Sequence, residues 1–245
     1  MEVKNNLQEE YNKQYENGLR EWRMLGAKRK AKNIIDITVG RQVNKVLDIG
    51  SGDGSVLHWL DNSNFCNDIT SVEISDSGIE EIKSLQLKSV KQVIKFDGYH
   101  LPFEDDFFDV AMCSHVMEHV EFPRKLIREI KRVSKFQVFE VPIDFSFKVD
   151  KKVEHFLSYG HINIYTPQTF RFLLKSEGLE IVNYLNRLYS KEVSGYIDKK
   201  QPASQKIKNN LKRFLWHVFP FLMAVKPNTT TVLCKKGQEN LQIMK

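Results

Sequence analysis

Two groups of residues in this chain have the types and spacing that chemistry needs. The first is Asp48-Ile49-Gly50-Ser51-Gly52-Asp53-Gly54, a glycine-rich turn between an apolar stretch and a helical one. Glycine tolerates positive φ and lets backbone approach a ligand closely, while the helix that follows offers unpaired N–H groups. The second is His115, Glu118 and His119, joined by His161 in Gly160-His161-Ile162-Asn163. Spacings of three and four bring the first three to one side of a helical turn. Imidazole titrates near neutrality, so His119, His161 and His115 are the candidate catalytic bases for an acceptor that must lose a proton.

The turn reads GxGxG, with Ser55 where a nicotinamide-binding GxGxxG would carry its third glycine, which argues against a dinucleotide. Two further sites follow it. Glu73 ends an apolar stretch, where one carboxylate can take both hydroxyls of a ribose. Asp97-Gly98 ends the next, where a short carboxylate can accept from an exocyclic adenine amine. Asp and Gly are common in turns, but these three sites fall at consecutive strand ends, the edge where doubly wound sheets bind ligands.

The elements that must position these groups follow from periodicity. Residues 6–39 have a helical pattern and read as two N-terminal helices. Strands are expected at residues 45–49, 69–74, 90–96, 108–113, 137–141, 179–184 and 229–235. Helices are expected from the glycine turn to Leu60, after Ser77 and Glu80 with their capping-box spacing, from Pro123 to about Val133, and from Pro167 until Gly178 stops it. This alternation predicts an α/β fold, a doubly wound seven-stranded mostly parallel sheet with N-terminal helices and a helical insertion before the last strand. One domain is expected: helices in 1–43, a ligand-binding core in 44–190, the insertion in 191–227 and the last strand in 228–237.

VLDIGSGDG, SVEIS and FDGYHLPFEDDFFDVAMCSHVMEHV resemble the successive motifs of the class I, Rossmann-like S-adenosylmethionine-dependent methyltransferases, small-molecule type (methyltransferase type 11 like). The resemblance covers roughly residues 20–184. It implies that Asp48, Gly50 and Gly52 hold the methionine end of S-adenosyl-L-methionine, Glu73 its ribose and Asp97 its adenine, with Gly98 flanking the ring. Ser114 and His115 would open the loop facing the methyl group, and the product would be S-adenosyl-L-homocysteine. Ser134-Lys135-Phe136 departs from the family's usual Gly-Gly before the fifth strand, which touches only turn geometry. GHINIYTPQTFRFLLKSEGLEIV resembles methyltransferases of bacterial polysaccharide and natural-product pathways, so the expected reaction is O-methylation of a small or lipid-linked acceptor such as a sugar hydroxyl. An RNA methyltransferase and a noncatalytic protein retaining the fold are the alternatives. His115, Glu118 and His119, with His161 as a fourth ligand, are also similar to the ExxEH arrangement of small-RNA 2′-O-methyltransferases and ubiquinone-pathway O-methyltransferases. His stands here for the first Glu, and EHV also occurs in relatives with no known metal need, so no metal is assigned.

The formal net charge of +6 lies wholly in residues 191–226, which carry eight basic and two acidic side chains. A local basic segment suggests a local task rather than general nucleic-acid binding, and no specific nucleic acid is expected. Ile207, Leu211, Phe214 and Val218 form one helical face beside Lys206, Lys208, Lys212 and Arg213, and Trp216, Phe219, Phe221 and Leu222 follow. The segment reads as a lid whose residues 205–226 contact an anionic membrane peripherally; the alternative is that this face packs on the sheet. The polar first residues lack a signal-peptide apolar region, and the longest apolar run is broken by His217 and Pro220. Cys66, Cys113 and Cys234 are scattered, which fits a reducing compartment, so a cytoplasmic protein is expected, in part membrane-peripheral.

Overall fold

The computed structural model describes residues 20–145, 149–158, 160–199, 201–219 and 227–237. Strands β1 (Val46–Ile49), β2 (Ile69–Glu73), β4 (Phe108–Ser114) and β5 (Ser134–Pro142) are almost wholly buried. Parallel strands covered on both faces lose the alternation of one-sided strands, which is why β1 and β4 are largely apolar, while β2 and β5 bury Thr70, Ser71, Glu73, Gln137 and Glu140 in the same setting. β3 (Val90–Lys95) is a partly exposed edge, and β6 (Leu179–Arg187) is the other edge. β7 (Thr229–Lys236) lies between β5 and β6, antiparallel to both. The order is β3-β2-β1-β4-β5-β7-β6, the seven-stranded, mostly parallel sheet expected from the alternation.

Helices cover both faces. On one, Ala31, Ile34 and Ile37 of α1 (Arg20–Thr38) pack with Leu57 and Leu60 of α2 (Ser55–Asn62) and Ile82 of α3 (Asp76–Ser84). On the other, α4 (Pro123–Val133) buries the stripe Leu126, Ile127, Ile130 and Val133 beside Phe170 and Leu174. Pro123 opens α4 where a missing N–H costs nothing. A 3₁₀ turn (Val149–Lys152) and the short α5 (Val153–Leu157) precede α6 (Pro167–Ser176), which supplies Phe170 and Leu174. The insertion forms two helices, α7 (Lys191–Lys199) and α8 (Ala203–Val218).

Three details differ from the expectation. α3 is capped by Ser75, whose Oγ accepts from the Gly78 N–H at 3.2 Å, and not by Ser77. The Glu73 carboxylate takes the Ser75 N–H and hydroxyl, which fixes Ser75 at the strand–helix junction. β5 begins at Ser134, which pairs with Phe108 of β4, and β6 runs to Arg187, which pairs with Thr229 of β7, so pairing extends both beyond their apolar cores. Of the two N-terminal helices, α1 is observed and the first falls outside the described residues.

The strand order reverses between β1 and β4, whose carboxyl ends therefore flank an open crevice. Both groups of chemically capable residues lie there.

Candidate active site

The glycine turn leaves β1 with Gly50 at φ +68°, beside Val116 of the loop after β4. A Cβ on Gly50 would come 2.5 Å from Val116 Cγ2, so only glycine lets the turn and this loop close on each other. From the other side, α3 approaches through Gly78, where a Cβ would lie 2.7 Å from the Gly52 carbonyl. Sequence reasoning passed over Gly78; its signal was a glycine in the first turn of a helix that follows an acid-ended strand. Glu73, 3% exposed, ties the two together by accepting from Gly52 N at 2.8 Å and from Ser75 N and Oγ at 3.0 Å. Burial raises its pKa, against these hydrogen bonds.

Asp48 is buried just behind the turn, and its Oδ2 has no hydrogen-bond partner. Burial, with Glu73 nearby, pushes its pKa up to about 7 against Ser51 and Lys30. Asp97 takes the backbone N–H groups of Tyr99 at 2.8 Å and His100 at 2.6 Å on its Oδ1, and the cavity wall here is Phe96, Gly98 and Tyr99. Gly50, Gly52, Glu73, Gly98, Ser114, His115, His119 and His161 all line one cavity of about 1010 Å³; Asp48 and Asp97 lie outside its wall. That volume is at the upper end of ordinary ligand pockets, roughly 300–1,000 Å³, and leaves room for two reactants.

The loop after β4 is a single hydrogen-bonded turn, His119 N to Val116 O at 2.9 Å, rather than a helix. His115 adopts φ +58°, an uncommon backbone for a side-chain-bearing residue. Its Nδ1 lies 3.4 Å from Glu118 Oε1 and its Nε2 3.3 Å from Glu140 Oε1. Burial and Lys30 oppose charging of His115, but the two carboxylates outweigh them and raise its pKa. Glu140 is anchored in turn by Asn33 of α1 at 2.8 Å and Thr231 of β7 at 2.5 Å. His119 behaves oppositely: burial and His161 lower its pKa despite Glu118, so it stays neutral. The two rings meet edge to face with centroids 4.8 Å apart. The Gly160–Tyr165 segment straps this loop down, with Ile162 N and Asn163 N on the Glu118 carbonyl at 2.9 and 3.0 Å. Tyr165 adds a bond from its hydroxyl to the Met117 carbonyl.

The far wall is shared by α1, whose part was not foreseen, and by the first helix of the insertion read above as a lid. Trp22, Arg23, Lys30 and Asn33 of α1 and Val193, Tyr196 and Ile197 of α7 close the cavity, with the Trp22 and Tyr196 rings 5.4 Å apart. Arg23 holds Asp53 of the glycine turn at 2.6 Å. α8 is bound to α7 through Asp198, which pairs with Asn209 at 2.9 Å and with Arg213. Its apolar face does not pack on the sheet: Ile207, Leu211, Phe214 and Val218 are 70%, 58%, 62% and 47% exposed. Phe221 and Leu222 lie outside the described residues, as does the Trp216 side chain.

A glycine cradle and a buried acid at the β1 end, facing a histidine loop across one cavity, fit a nucleoside-like cofactor opposite a proton-accepting group. A family model described as a methyltransferase domain matches residues 11–184. The chain belongs to the methyltransferase domain family. Its fold is that of S-adenosylmethionine-dependent methyltransferases of known structure. It is 30% identical over 124 residues to the sterol 4-C-methyltransferase strm-1 of Caenorhabditis elegans, a match over 47% of this chain and 36% of the worm protein. The chain thus spans about a third of that relative's length. Among solved structures, it is similar to a methyltransferase in complex with the Trm112 methyltransferase activator of Haloferax volcanii, at TM-score 0.63 and 14% identity over 92% of this chain and 94% of that one. It also resembles the Haemonchus contortus phosphoethanolamine N-methyltransferase 2 bound to S-adenosylhomocysteine, at TM-score 0.60 and 15% identity over 86% of this chain and 53% of that one.

Proposed function

We propose that this methyltransferase transfers the methyl group of S-adenosyl-L-methionine to an oxygen of a small or lipid-linked acceptor, such as a sugar hydroxyl. When bound, the cofactor supplies an already activated sulfonium methyl. The residues at the turn fit it: the orphaned Asp48 Oδ2 suits an ammonium, and the backbone of Gly50, Ser51 and Gly52 lines the cavity where the methionine end would lie. Gly50 and Gly52 would cradle that end, Glu73 the ribose, and Asp97 and Gly98 the adenine, with Ser114 opening the acceptor side.

The observation that carries the oxygen reading is the neutral His119, held against Glu118 and His161 on the cavity wall. A neutral imidazole can take the proton that a hydroxyl must lose, and Glu118 beside it would steady the resulting charge. His161 supports the pair, and His115 orders the loop through Glu118 and Glu140. α1 and α7 would act as a lid that aligns the reactants and excludes water.

The lipid-linked option draws on α8. Its exposed apolar face lies beside Lys206 and Lys208, a pattern suited to an anionic membrane surface. No helix among the described residues is long and apolar enough to cross a membrane. Incubation with methyl-labelled cofactor and a panel of free, nucleotide-linked and lipid-linked sugars tests the proposal. Label recovered as a base-stable methyl ether supports it, and label recovered only on nitrogen or carbon acceptors overturns it.

A further inference from the structure

The cations of α1 that line the cavity stand in two places. Arg23 holds Asp53 of the glycine turn, and Lys30 sits among the carboxylates of Glu140, Glu118, Asp53 and Asp48, so both belong to the middle of the crevice and the β1 end. Arg29 also lines the cavity, but its nearest like charge is Arg187, the last residue of β6. Thr229, which opens β7, pairs with Arg187 on one side and with Pro142 at the end of β5 on the other, and both Thr229 and Pro142 line the wall. The sheet order puts this end of the crevice opposite the ends of β2 and β3, where Glu73 and Asp97 lie.

The carboxylates around Arg29 are engaged elsewhere. Asp36, Glu140 and Glu192 act on it through charge alone, without a hydrogen bond. Asp36 takes Lys32 at 2.9 Å and lies 3.7 Å from Arg187. Glu140 is bound by Asn33 and Thr231 and faces His115, while the exposed Glu192 has Lys28 and Lys191 beside it. The Nε atoms of Arg29 and Arg187 are both buried without a hydrogen-bond partner. Burial and then Arg187 hold the Arg29 pKa below its ordinary value despite the carboxylates.

We propose that Arg29, with Arg187 behind it, anchors a phosphate group of the acceptor at the end of the cavity where β5, β7 and β6 meet. A buried donor left without an acceptor is costly, and two neighbouring guanidiniums repel. A bound oxyanion removes both costs, because the guanidinium fork matches its oxygens in two parallel N–H···O bonds. Phosphate suits the pair better than carboxylate: a monoester carries close to two negative charges and three acceptor oxygens, enough for two guanidiniums. The methyl acceptor would then be a phosphate ester, such as a nucleotide-linked or lipid-phosphate-linked sugar, with its hydroxyl between this anchor and His119. That identity rests on the function proposed above; the phosphate site itself does not.

The test saturates the chain with S-adenosylhomocysteine and measures binding of radiolabelled inorganic pyrophosphate by equilibrium dialysis. Saturable binding of one pyrophosphate per chain is expected, weakened roughly tenfold to a hundredfold in Arg29→Gln and in Arg187→Gln. Arg29→Lys keeps the charge without the fork and should fall between wild type and Arg29→Gln. S-adenosylhomocysteine affinity should stay within twofold in each variant, which shows that the fold persists and that the anchor does not serve the cofactor. Displacement of the label by UDP-glucose supports a soluble phosphate ester, and displacement by farnesyl phosphate in detergent micelles a lipid-linked one. The proposal is overturned by wild-type chain that binds S-adenosylhomocysteine but not pyrophosphate, or by pyrophosphate binding unchanged in both glutamine variants. It is overturned equally if Arg29→Gln, with its thermal transition intact, loses S-adenosylhomocysteine, which would assign Arg29 to the cofactor. Pyrophosphate binding by a chain that never binds S-adenosylhomocysteine would support the anchor and overturn the methyl-transfer reading.

Discussion

Replacing Glu73 with Ala separates its two tasks. Its carboxylate accepts three hydrogen bonds, from Gly52 N, Ser75 N and Ser75 Oγ, while 3% exposed. Removing it leaves two buried N–H groups without an acceptor, at about 1–3 kcal/mol each, although the Ser75 hydroxyl can turn elsewhere. A stability loss of about 2–6 kcal/mol follows, or a fall in Tm of roughly 4–24 °C for a chain of this size. The same change removes a charge-assisted pair to the ribose hydroxyls, worth about 1.5–3 kcal/mol, so S-adenosylhomocysteine should bind roughly tenfold to a hundredfold more weakly. Calorimetric titration at a temperature where the variant stays folded reads the second effect, and thermal unfolding the first. A variant that loses stability but binds the ligand within twofold of wild type would refute the ribose role and leave Glu73 as a tie between the glycine turn and α3.

Three other outcomes are expected. His119→Gln should lower turnover roughly 10²- to 10⁴-fold with cofactor affinity unchanged, and wild-type rate should rise with pH through an inflection below the usual histidine value of about 6.5, because burial lowers the His119 pKa; equal losses in both parameters would mark His119 as structural. Asp48, pushed up to about 7 by burial, keeps a proton in the folded chain that the unfolded chain releases above about pH 4. Its contribution to cofactor-free stability is therefore lost as pH rises from about 4 to 7, by at most about 4 kcal/mol. Denaturant melts of wild type and Asp48→Asn at pH 5.5 and 8 check this, and an identical pH dependence in both would refute it. For α8, flotation with anionic liposomes should fall with salt and disappear in a Lys206→Gln, Lys208→Gln, Leu211→Asp, Phe214→Asp variant, since about 1 kcal/mol per basic residue is screened; Arg213 is already paired with Asp198. No flotation of wild type at low salt removes the membrane contact.

The sheet was legible because its central strands are buried on both sides, so the largely apolar stretches Val46–Ile49 and Phe108–Cys113 stand out from their flanks, and the β-branched Ile69, Thr70 and Val72 mark the strand between. The glycine turn and the histidine loop were legible because each is local in sequence. What joins them was not. Asn33 reaches Glu140 across 107 residues, and nothing near either residue announces the pair. Trp22 and Tyr196 meet only once the chain has folded. Ser77 looked like the cap because its spacing to Glu80 fits the rule, but the Glu73 carboxylate, two residues before Ser75, decides the junction. Asp97 was read for its charge, whereas its Oδ1 serves the turn to His100.

A crystal structure with S-adenosylhomocysteine bound tests the site most directly. The ribose is expected on Glu73, the homocysteine end against Gly50 and Gly52, and the sulfur turned toward the loop of His115 and His119. Ligand bound elsewhere, or with its sulfur facing away from that loop, would contradict a methyl-transfer site in this cavity.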